Sequence, residues 1–155
     1  MDNENNKDGK KARRLPKMLQ VNDVRIAIVD DNKVNLRIAA TLLKEFGAAL
    51  EAFSSGSGIL KALNMGRRYD IIFMDHMMPE MDGLETTRQI RSISEEYAKE
   101  TVIIALTANA VDGIGEEYLA AGMDDWLFKP VNLKNFQEKL VKFLPPEKQH
   151  FIEEE

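Results

Sequence analysis

Five side chains capable of chemistry stand directly after short apolar runs that favour β-structure. They are Asp30, Asp31, Asp75, Thr107 and Lys129. If each run is a buried strand, each of these groups lies at the carboxyl end of a strand, and in a parallel α/β sheet such ends open onto the crevice where ligands bind. A lone aspartate of this kind also suits a turn or a helix cap, so the argument depends on all five.

Three carboxylates brought close together repel one another, and they stay ionised together when a cation lies between them. The candidate ligands are all oxygen atoms, which favours a hard cation such as Mg²⁺ or Mn²⁺. Lys129 would add a positive charge, and Thr107 a hydrogen bond, where phosphoryl oxygens lie. Asp75 would then be a nucleophile that forms an acyl phosphate. The alternative is a structural network of aspartates and lysine without a metal.

Strands and helices alternate along the chain from residue 24 onward. The pattern predicts strands over 25–29, 48–53, 71–75, 101–106 and 125–128. It predicts helices over 33–46 and 55–65, after Gly83, and over 112–121 and 132–143. Short connections between alternating elements imply parallel strands with right-handed crossovers and helices on both faces. The fold class is therefore a doubly wound, five-stranded parallel α/β sheet.

The second predicted strand differs from the other four, because it ends on Phe53 and Ser54 without a group suited to this chemistry. It should therefore lie outside the group of strands whose ends converge. The strand order 2-1-3-4-5, known from flavodoxin-like folds, meets this condition and opens the crevice between the first and third strands.

Charge and composition divide the chain into three segments. Residues 1–17 carry six basic and three acidic side chains, and the rest of the chain is acidic. We therefore expect a flexible basic arm or linker over 1–23, a domain over 24–145 and an acidic tail over 146–155.

Several classes of function are disfavoured by composition. An acidic body argues against nucleic-acid binding, and a ten-residue tail is too short for a DNA-binding output domain. There is no cysteine for disulfide or thiolate chemistry. No apolar run approaches the roughly 20 residues that a membrane span needs. We expect a soluble, cytoplasmic protein without membrane contact.

Four motifs resemble those of one known family. They are Val29-Asp30-Asp31-Asn32, Met-Asp-His-Met-Met-Pro-Glu-Met-Asp-Gly over 74–83, Leu-Thr-Ala over 106–108, and Ala-Gly-Met-Asp-Asp-Trp-Leu-Phe-Lys-Pro over 121–130. With these motifs, residues 24–145 resemble a response-regulator receiver domain of two-component signalling, closest to the receivers of hybrid sensor histidine kinases. The resemblance implies a flavodoxin-like receiver fold.

The resemblance also implies a reaction. Asp75 would accept a phosphoryl group from the phosphohistidine of a sensor histidine kinase or a histidine-phosphotransfer domain. Asp31, Asp75 and the Met77 carbonyl would bind Mg²⁺ directly, and Asp30 would act through water.

Four further residues take roles by the same resemblance. Thr107 and Lys129 would contact the phosphoryl group, and the Lys129–Pro130 bond would be cis. On activation, Thr107 would shift toward the phosphate and vacate space for Trp126. The family usually has Tyr or Phe at that position, so the bulkier Trp126 is either a switch residue or an ordinary half-buried aromatic.

Two functional classes are compatible with these residues. The first is a signalling module that is not an enzyme beyond its own phosphorylation and dephosphorylation, either standing alone or as part of a hybrid kinase. The second is a Mg²⁺-dependent phosphohydrolase with an aspartyl-phosphate intermediate. Such enzymes usually carry Asp-x-Asp on the first strand, whereas this chain has adjacent Asp30 and Asp31.

Three expectations concern partners and dynamics. Val34, Ile38 and Thr41 lie off the apolar stripe of the first helix and form a small patch suited to partner docking. The segment 109–122 is expected to be the most mobile part, since glycines weaken its helix. The resemblance to receiver domains also implies that Met77 and Asn109 flank the water that hydrolyses the acyl phosphate.

Overall fold

The computed structural model describes residues 17–108 and 112–153. In chain order, the first six elements are β1 (Lys17–Val21), β2 (Arg25–Val29), α1 (Lys33–Lys44), β3 (Ala49–Phe53), α2 (Gly56–Asn64) and β4 (Ile71–Asp75). They are followed by α3 (Gly83–Arg91), α4 (Glu95–Lys99), β5 (Val102–Thr107), α5 (Ile114–Ala121), β6 (Asp125–Phe128), α6 (Leu133–Phe143), a 3-10 helix (Pro146–Lys148) and β7 (Gln149–Glu153). Asn109 and most of the basic arm lie outside the described residues.

Five strands form one parallel sheet in the order β3-β2-β4-β5-β6. In the numbering of the sequence analysis this is the order 2-1-3-4-5, so the predicted fold class is confirmed. Strand β4 lies at the centre, and all five of its residues are buried. Its carboxyl end is therefore flanked by the ends of β2 and β5, which bring their terminal side chains to the same edge.

The two faces of the sheet bury separate apolar clusters. Alternate residues of each strand point to opposite faces. One face, with Val29 and Met74, packs against α2, α3, α4 and α5. The other, with Ile28 and Phe73, packs against α1 and α6. Because both faces are covered, the central strands are continuous apolar runs, as observed in the sequence.

Most helices begin at a side chain that caps the first turn. The caps of α1, α2, α3, α4 and α6 accept a hydrogen bond from the backbone N–H three residues on, and they are Asn32, Ser55, Asp82, Ser94 and Asn132. Among the described α-helices only α5 lacks such a cap, because its N-cap residue is Gly113, which has no side chain. No helix in the described ranges is both long and apolar enough to span a bilayer.

Helix α4 was not predicted from the sequence. It has only five residues, too few for an apolar stripe to be read from the pattern. It is held in place by Tyr97, which is buried and whose hydroxyl donates to the carbonyl of Arg67 at 2.7 Å.

The predicted division into arm, domain and tail is wrong at its edges. Strands β1 and β7 pair antiparallel, from Lys17 opposite Glu153 to Val21 opposite Gln149. Leu19 and Val21 are buried with residues of α1 and α6, so residues 17–21 belong to the packed structure rather than to a flexible arm. The partner strand lies in the segment predicted as a tail. Strand β1 is stabilised by apolar burial, and both strands are stabilised by ladder hydrogen bonds.

Candidate functional site

The three predicted carboxylates meet at the carboxyl edge of the sheet. Asp75 ends β4, and Asp30 and Asp31 follow β2 directly. One oxygen from each lies within 4.8 Å of the others. Asp30 and Asp75 are buried, with 2% and 5% of their surface exposed, whereas Asp31 is exposed. The cluster therefore has a buried floor and one side open to solvent.

Lys129 connects the carboxylates of two strands. Its Nζ donates to Asp75 Oδ1 at 2.8 Å and to Asp30 Oδ2 at 3.1 Å. Its backbone N–H donates to the carbonyl of Thr107 at 2.8 Å, which fixes the residue against the end of β5. The Lys129–Pro130 peptide is cis, as the resemblance implies.

Burial and charge act in opposite directions on these groups. Burial raises the pKa of Asp75 to about 6; the hydrogen bond from Lys129 opposes this rise, and the charge of Asp30 adds to it. For Lys129, burial would lower the pKa, but the hydrogen bond and charge of Asp75 outweigh it and raise the pKa above its ordinary value. One cation thus only partly compensates three carboxylates, which leaves a site that attracts a further cation.

The loop after Asp75 is closed by a tight backbone contact. The N–H of Gly83 donates to the carbonyl of His76 at 2.8 Å. A Cβ at Gly83 would lie 2.3 Å from the carbonyl oxygen of Asp75, so any larger residue would displace this loop. The loop presents Met77 at a cleft of about 230 Å³, which is also lined by Asp75. The side chain of Met77 is 65% exposed.

Two residues at the site were missed by the sequence analysis. His76 directs Nδ1 at the hydroxyl of Tyr118, 3.0 Å away, and the two rings pack edge to face. Tyr118 is buried in α5, and the side chain of Thr107 lies close enough to act on its hydroxyl. Burial raises the pKa of Tyr118, and the Thr107 hydrogen bond opposes that rise. Only the position of His76 directly after Asp75 signalled this contact in the sequence.

Trp126 lies partly buried against α5. A Cβ at Gly115 would meet the far edge of the indole ring at 2.6 Å, so the ring fits because residue 115 has no side chain. The ring centroid lies 6.2 Å from that of Tyr118. The structure therefore accommodates the bulkier aromatic by packing it over a glycine.

An apolar recess adjoins the acidic cluster. It has a volume of about 80 Å³ and is lined by residues of α1, β5 and the chain after Lys129, including Ile38, Ala39, Leu106 and Val131. Two neighbouring side chains of α1 are exposed, Val34 by 66% and Ile38 by 49%. The exposure expected for Val34 and Ile38 on the first helix is therefore present, and Ile38 lines the recess together with Asp30.

The match to a known family covers most of this structure. Residues 26–141 match the model of the response regulator receiver domain. The chain therefore belongs to the response regulator receiver domain family and contains a receiver domain of two-component signalling. This assignment disfavours the phosphohydrolase alternative.

Relatives with curated descriptions are much longer than this chain. A probable histidine kinase 1 from Oryza sativa subsp. indica is 36% identical over 155 aligned positions, which cover 81% of this chain and 16% of the relative. The chain thus spans about a sixth of that relative's length.

Solved receiver structures share the fold. The receiver of the sensor histidine kinase PA1611 from Pseudomonas aeruginosa is 36% identical, with a TM-score of 0.70 over 77% of this chain and 96% of that one, and was solved with a magnesium ion in its active-site cleft. The receiver of Ssk1 from Saccharomyces cerevisiae, in complex with the histidine phosphotransfer protein Ypd1, is 26% identical, with a TM-score of 0.72 over 79% and 90% of the two chains.

Proposed function

We propose that Asp75 is the phosphoacceptor of this receiver domain. The observation that carries the proposal is a buried carboxylate at the end of the central strand, held by Lys129 inside an acidic cluster. One oxygen of Asp75 forms a bond to phosphorus while the bond from phosphorus to the donor imidazole nitrogen breaks. The electron pair of that bond stays with the nitrogen, and the hydrogen on the other ring nitrogen of the donor remains there, so the products are an acyl phosphate and a neutral imidazole.

The acidic cluster fits a divalent cation that prefers oxygen ligands. Asp31, Asp75 and the Met77 carbonyl would hold Mg²⁺ directly, and Asp30 would do so through water. When bound, Mg²⁺ supplies charge neutralisation for the phosphoryl oxygens. Mn²⁺ suits the same ligands.

Lys129 and Thr107 stabilise the transferred group. The Nζ of Lys129 lies 2.8 Å from Asp75, and it moves its hydrogen bond onto a phosphoryl oxygen when the acyl phosphate forms. The hydroxyl of Thr107, at the end of the neighbouring strand, donates to another. Thr107 and Trp126 then take part in the change of surface that a partner recognises.

The donor is a phosphohistidine on a histidine-phosphotransfer domain or a sensor histidine kinase. It docks on the recess and on Val34 and Ile38, because both side chains are exposed on α1 and the recess is lined by Ile38 together with Asp30 and Lys129 of the acidic site. We place the chain in the cytoplasm, without membrane or DNA contact of its own, and assign it no catalytic activity beyond its own phosphorylation and dephosphorylation.

Intact-mass measurement after treatment with phosphoramidate and Mg²⁺ tests the reaction. We expect one phosphoryl group on the parent, and none on Asp75→Asn or with a chelator present. Equal uptake by Asp75→Asn would contradict the proposal. Hydrolysis of small phosphomonoesters, assayed in parallel, would instead support the phosphohydrolase alternative.

Docking is tested by charge insertion on α1. Ile38→Glu should slow phosphotransfer from a histidine-phosphotransfer domain while leaving uptake from phosphoramidate unchanged. Met65→Glu is the matched control, because Met65 is 70% exposed and lies at the end of α2 on the other face of the sheet. Equal slowing by both variants would place the docking surface elsewhere.

A further inference from the structure

Tyr118 lies between two residues of the acceptor site, His76 and Thr107. It is fully buried, and its hydroxyl lies 3.0 Å from Nδ1 of His76, the residue next to Asp75. The side chain of Thr107 is the other hydrogen-bonding neighbour of this hydroxyl, and it opposes the rise in the pKa of Tyr118. His76, Tyr118 and Thr107 come from the β4 loop, α5 and β5, so one hydroxyl connects three elements.

The direction of these hydrogen bonds is fixed once a phosphoryl group is present. A hydroxyl has one hydrogen to donate, and a phosphoryl oxygen without a proton only accepts. When Thr107 donates to the phosphoryl group, it accepts from Tyr118. Tyr118 then has no hydrogen left for His76, so it accepts from Nδ1, which must carry a hydrogen.

We propose, on the basis of the function proposed above, that Tyr118 is a positioning residue for the phosphorylation of Asp75. Its hydroxyl donates to Thr107 and so turns the Thr107 hydrogen toward the phosphoryl oxygens, while His76 holds Tyr118 in that orientation. The chain His76–Tyr118–Thr107 therefore acts as a directed relay of hydrogen bonds that ends at the phosphoryl group.

The packing around Tyr118 also connects the relay to α5. Its ring contacts both His76, at 5.3 Å between centroids, and Trp126, at 6.2 Å. Helix α5 lacks the side-chain cap that the other described α-helices have. A shift of Thr107 would therefore be passed by Tyr118 to the helix that begins without a side-chain cap.

Rates of phosphorylation by phosphoramidate in Mg²⁺ test the role of the hydroxyl. Tyr118→Phe should lower the rate roughly three- to tenfold, the effect of losing one hydrogen bond that orients a donor. The matched control is Tyr97→Phe, which removes a hydroxyl of similar burial from α4 and should keep the parent rate.

The hydrogen on Nδ1 of His76 gives a second readout, which can be measured on the parent protein. The chain has two histidines, so a long-range ¹H–¹⁵N NMR spectrum resolves their ring nitrogens. In the parent with Mg²⁺ and beryllofluoride, a phosphoryl analogue, Nδ1 of His76 should carry a hydrogen. In Tyr118→Phe this preference should be lost.

The outcomes separate this inference from the function on which it rests. A parent that takes up no phosphoryl group would overturn the proposed function and the inference with it. A parent that is phosphorylated while Tyr118→Phe matches its rate, or exceeds it, overturns the inference alone. If Nδ1 of His76 carries no hydrogen in the beryllofluoride complex of the parent, the inference is also overturned, whether or not Tyr118→Phe folds.

Discussion

Asp75 is held in a balance between burial, two neighbouring acids and one lysine. Burial is the largest influence and raises its pKa to about 6, despite the hydrogen bond from Lys129. A carboxylate with this pKa is still ionised at neutral pH and able to attack phosphorus. The same balance implies that the ionised site stores unfavourable energy, which a cation or a phosphoryl group bound by Lys129 relieves.

The stored energy predicts that Asp75→Asn stabilises the protein. A carboxyl group whose pKa is raised by folding contributes stability below its unfolded pKa, and that contribution is lost as the pH rises through about 6. At about pH 8 the variant should exceed the parent by about 1 to 2 kcal/mol in free energy of unfolding, a value reduced by solvent screening at the open side of the cluster.

Urea unfolding at a series of pH values checks this prediction. The difference between variant and parent should shrink toward about pH 4, where both side chains are neutral. A difference that stays constant over the whole range would show that packing, and not charge, distinguishes the two proteins. Added Mg²⁺ should narrow the difference at high pH, because it binds the ionised parent.

Met77 should control the lifetime of the acyl phosphate. Its side chain is 65% exposed at the cleft and offers no strong hydrogen bond to a hydrolytic water. Met77→Asn should speed loss of the phosphoryl group roughly threefold or more, because an amide orients the water. The decay is followed after the donor is removed, with Met65→Asn as the exposed control. Decay no faster than that of the parent would mean that another group governs the approach of the water.

At the scale of elements, α5 differs from the other helices of the sheet layers. Its N-cap residue is Gly113, which offers no side-chain cap, whereas α1 and α6 are capped by Asn32 and Asn132. Loss of a cap costs about 1 kcal/mol, enough to raise the open population of a short helix several-fold. Backbone amides of α5 should therefore exchange hydrogen faster than those of α1 and α6, as mass spectrometry of peptides would measure. Equal protection in the three helices would show that the missing cap does not make α5 open more often.

The pair β1 and β7 adds a small sheet beneath α1 and α6. The N–H of Val21 donates to the carbonyl of Phe46 at 2.9 Å, and that of Leu19 to the side chain of Gln137 at 3.0 Å. Strand β1 is therefore tied to the domain by hydrogen bonds as well as by apolar contacts, and β7 is held by its pairing with β1 and by the side chain of Gln149, which donates to the carbonyl of Leu144 at 2.9 Å.

This attachment predicts a large cost for Leu19→Ala. Leu19 is fully buried, and emptying such a site costs about 2 to 5 kcal/mol. Phe151 faces Leu19 in the strand pairing but is 46% exposed, so Phe151→Ala should cost about 1 kcal/mol or less. Thermal or chemical unfolding compares the two. Similar small losses in both would mean that β1 contributes nothing to the core.

Across the whole molecule, the sequence predicts those elements whose pattern lies within a short stretch of neighbouring residues. Central strands such as β4 are apolar runs ending on a polar residue, and caps such as Asn132 stand beside their helices. The pairing of β1 with β7 joins residues at opposite ends of the chain, and each strand alone is a short segment among charged residues. The contact of His76 with Tyr118 likewise depends on how α5 packs, which no local pattern encodes.

The docking surface and the acceptor also belong to the whole molecule, because they come from different parts of the chain. Helix α1 supplies Ile38, the end of β4 supplies Asp75 and the chain after β6 supplies Lys129, all around one edge of the sheet. In the proposed docking, a partner that contacts α1 would bring its phosphohistidine to Asp75 without any change in the fold.

Borohydride reduction tests the central claim most directly, because it converts an aspartyl phosphate into homoserine at the residue that carried the phosphoryl group. The full chain is phosphorylated in Mg²⁺, reduced, digested and sequenced by mass spectrometry. The account predicts homoserine at position 75 and unchanged Asp30 and Asp31, with none in a sample treated with chelator. Homoserine at position 30 or 31, or a phosphorylated chain with Asp75 unmodified, would contradict it.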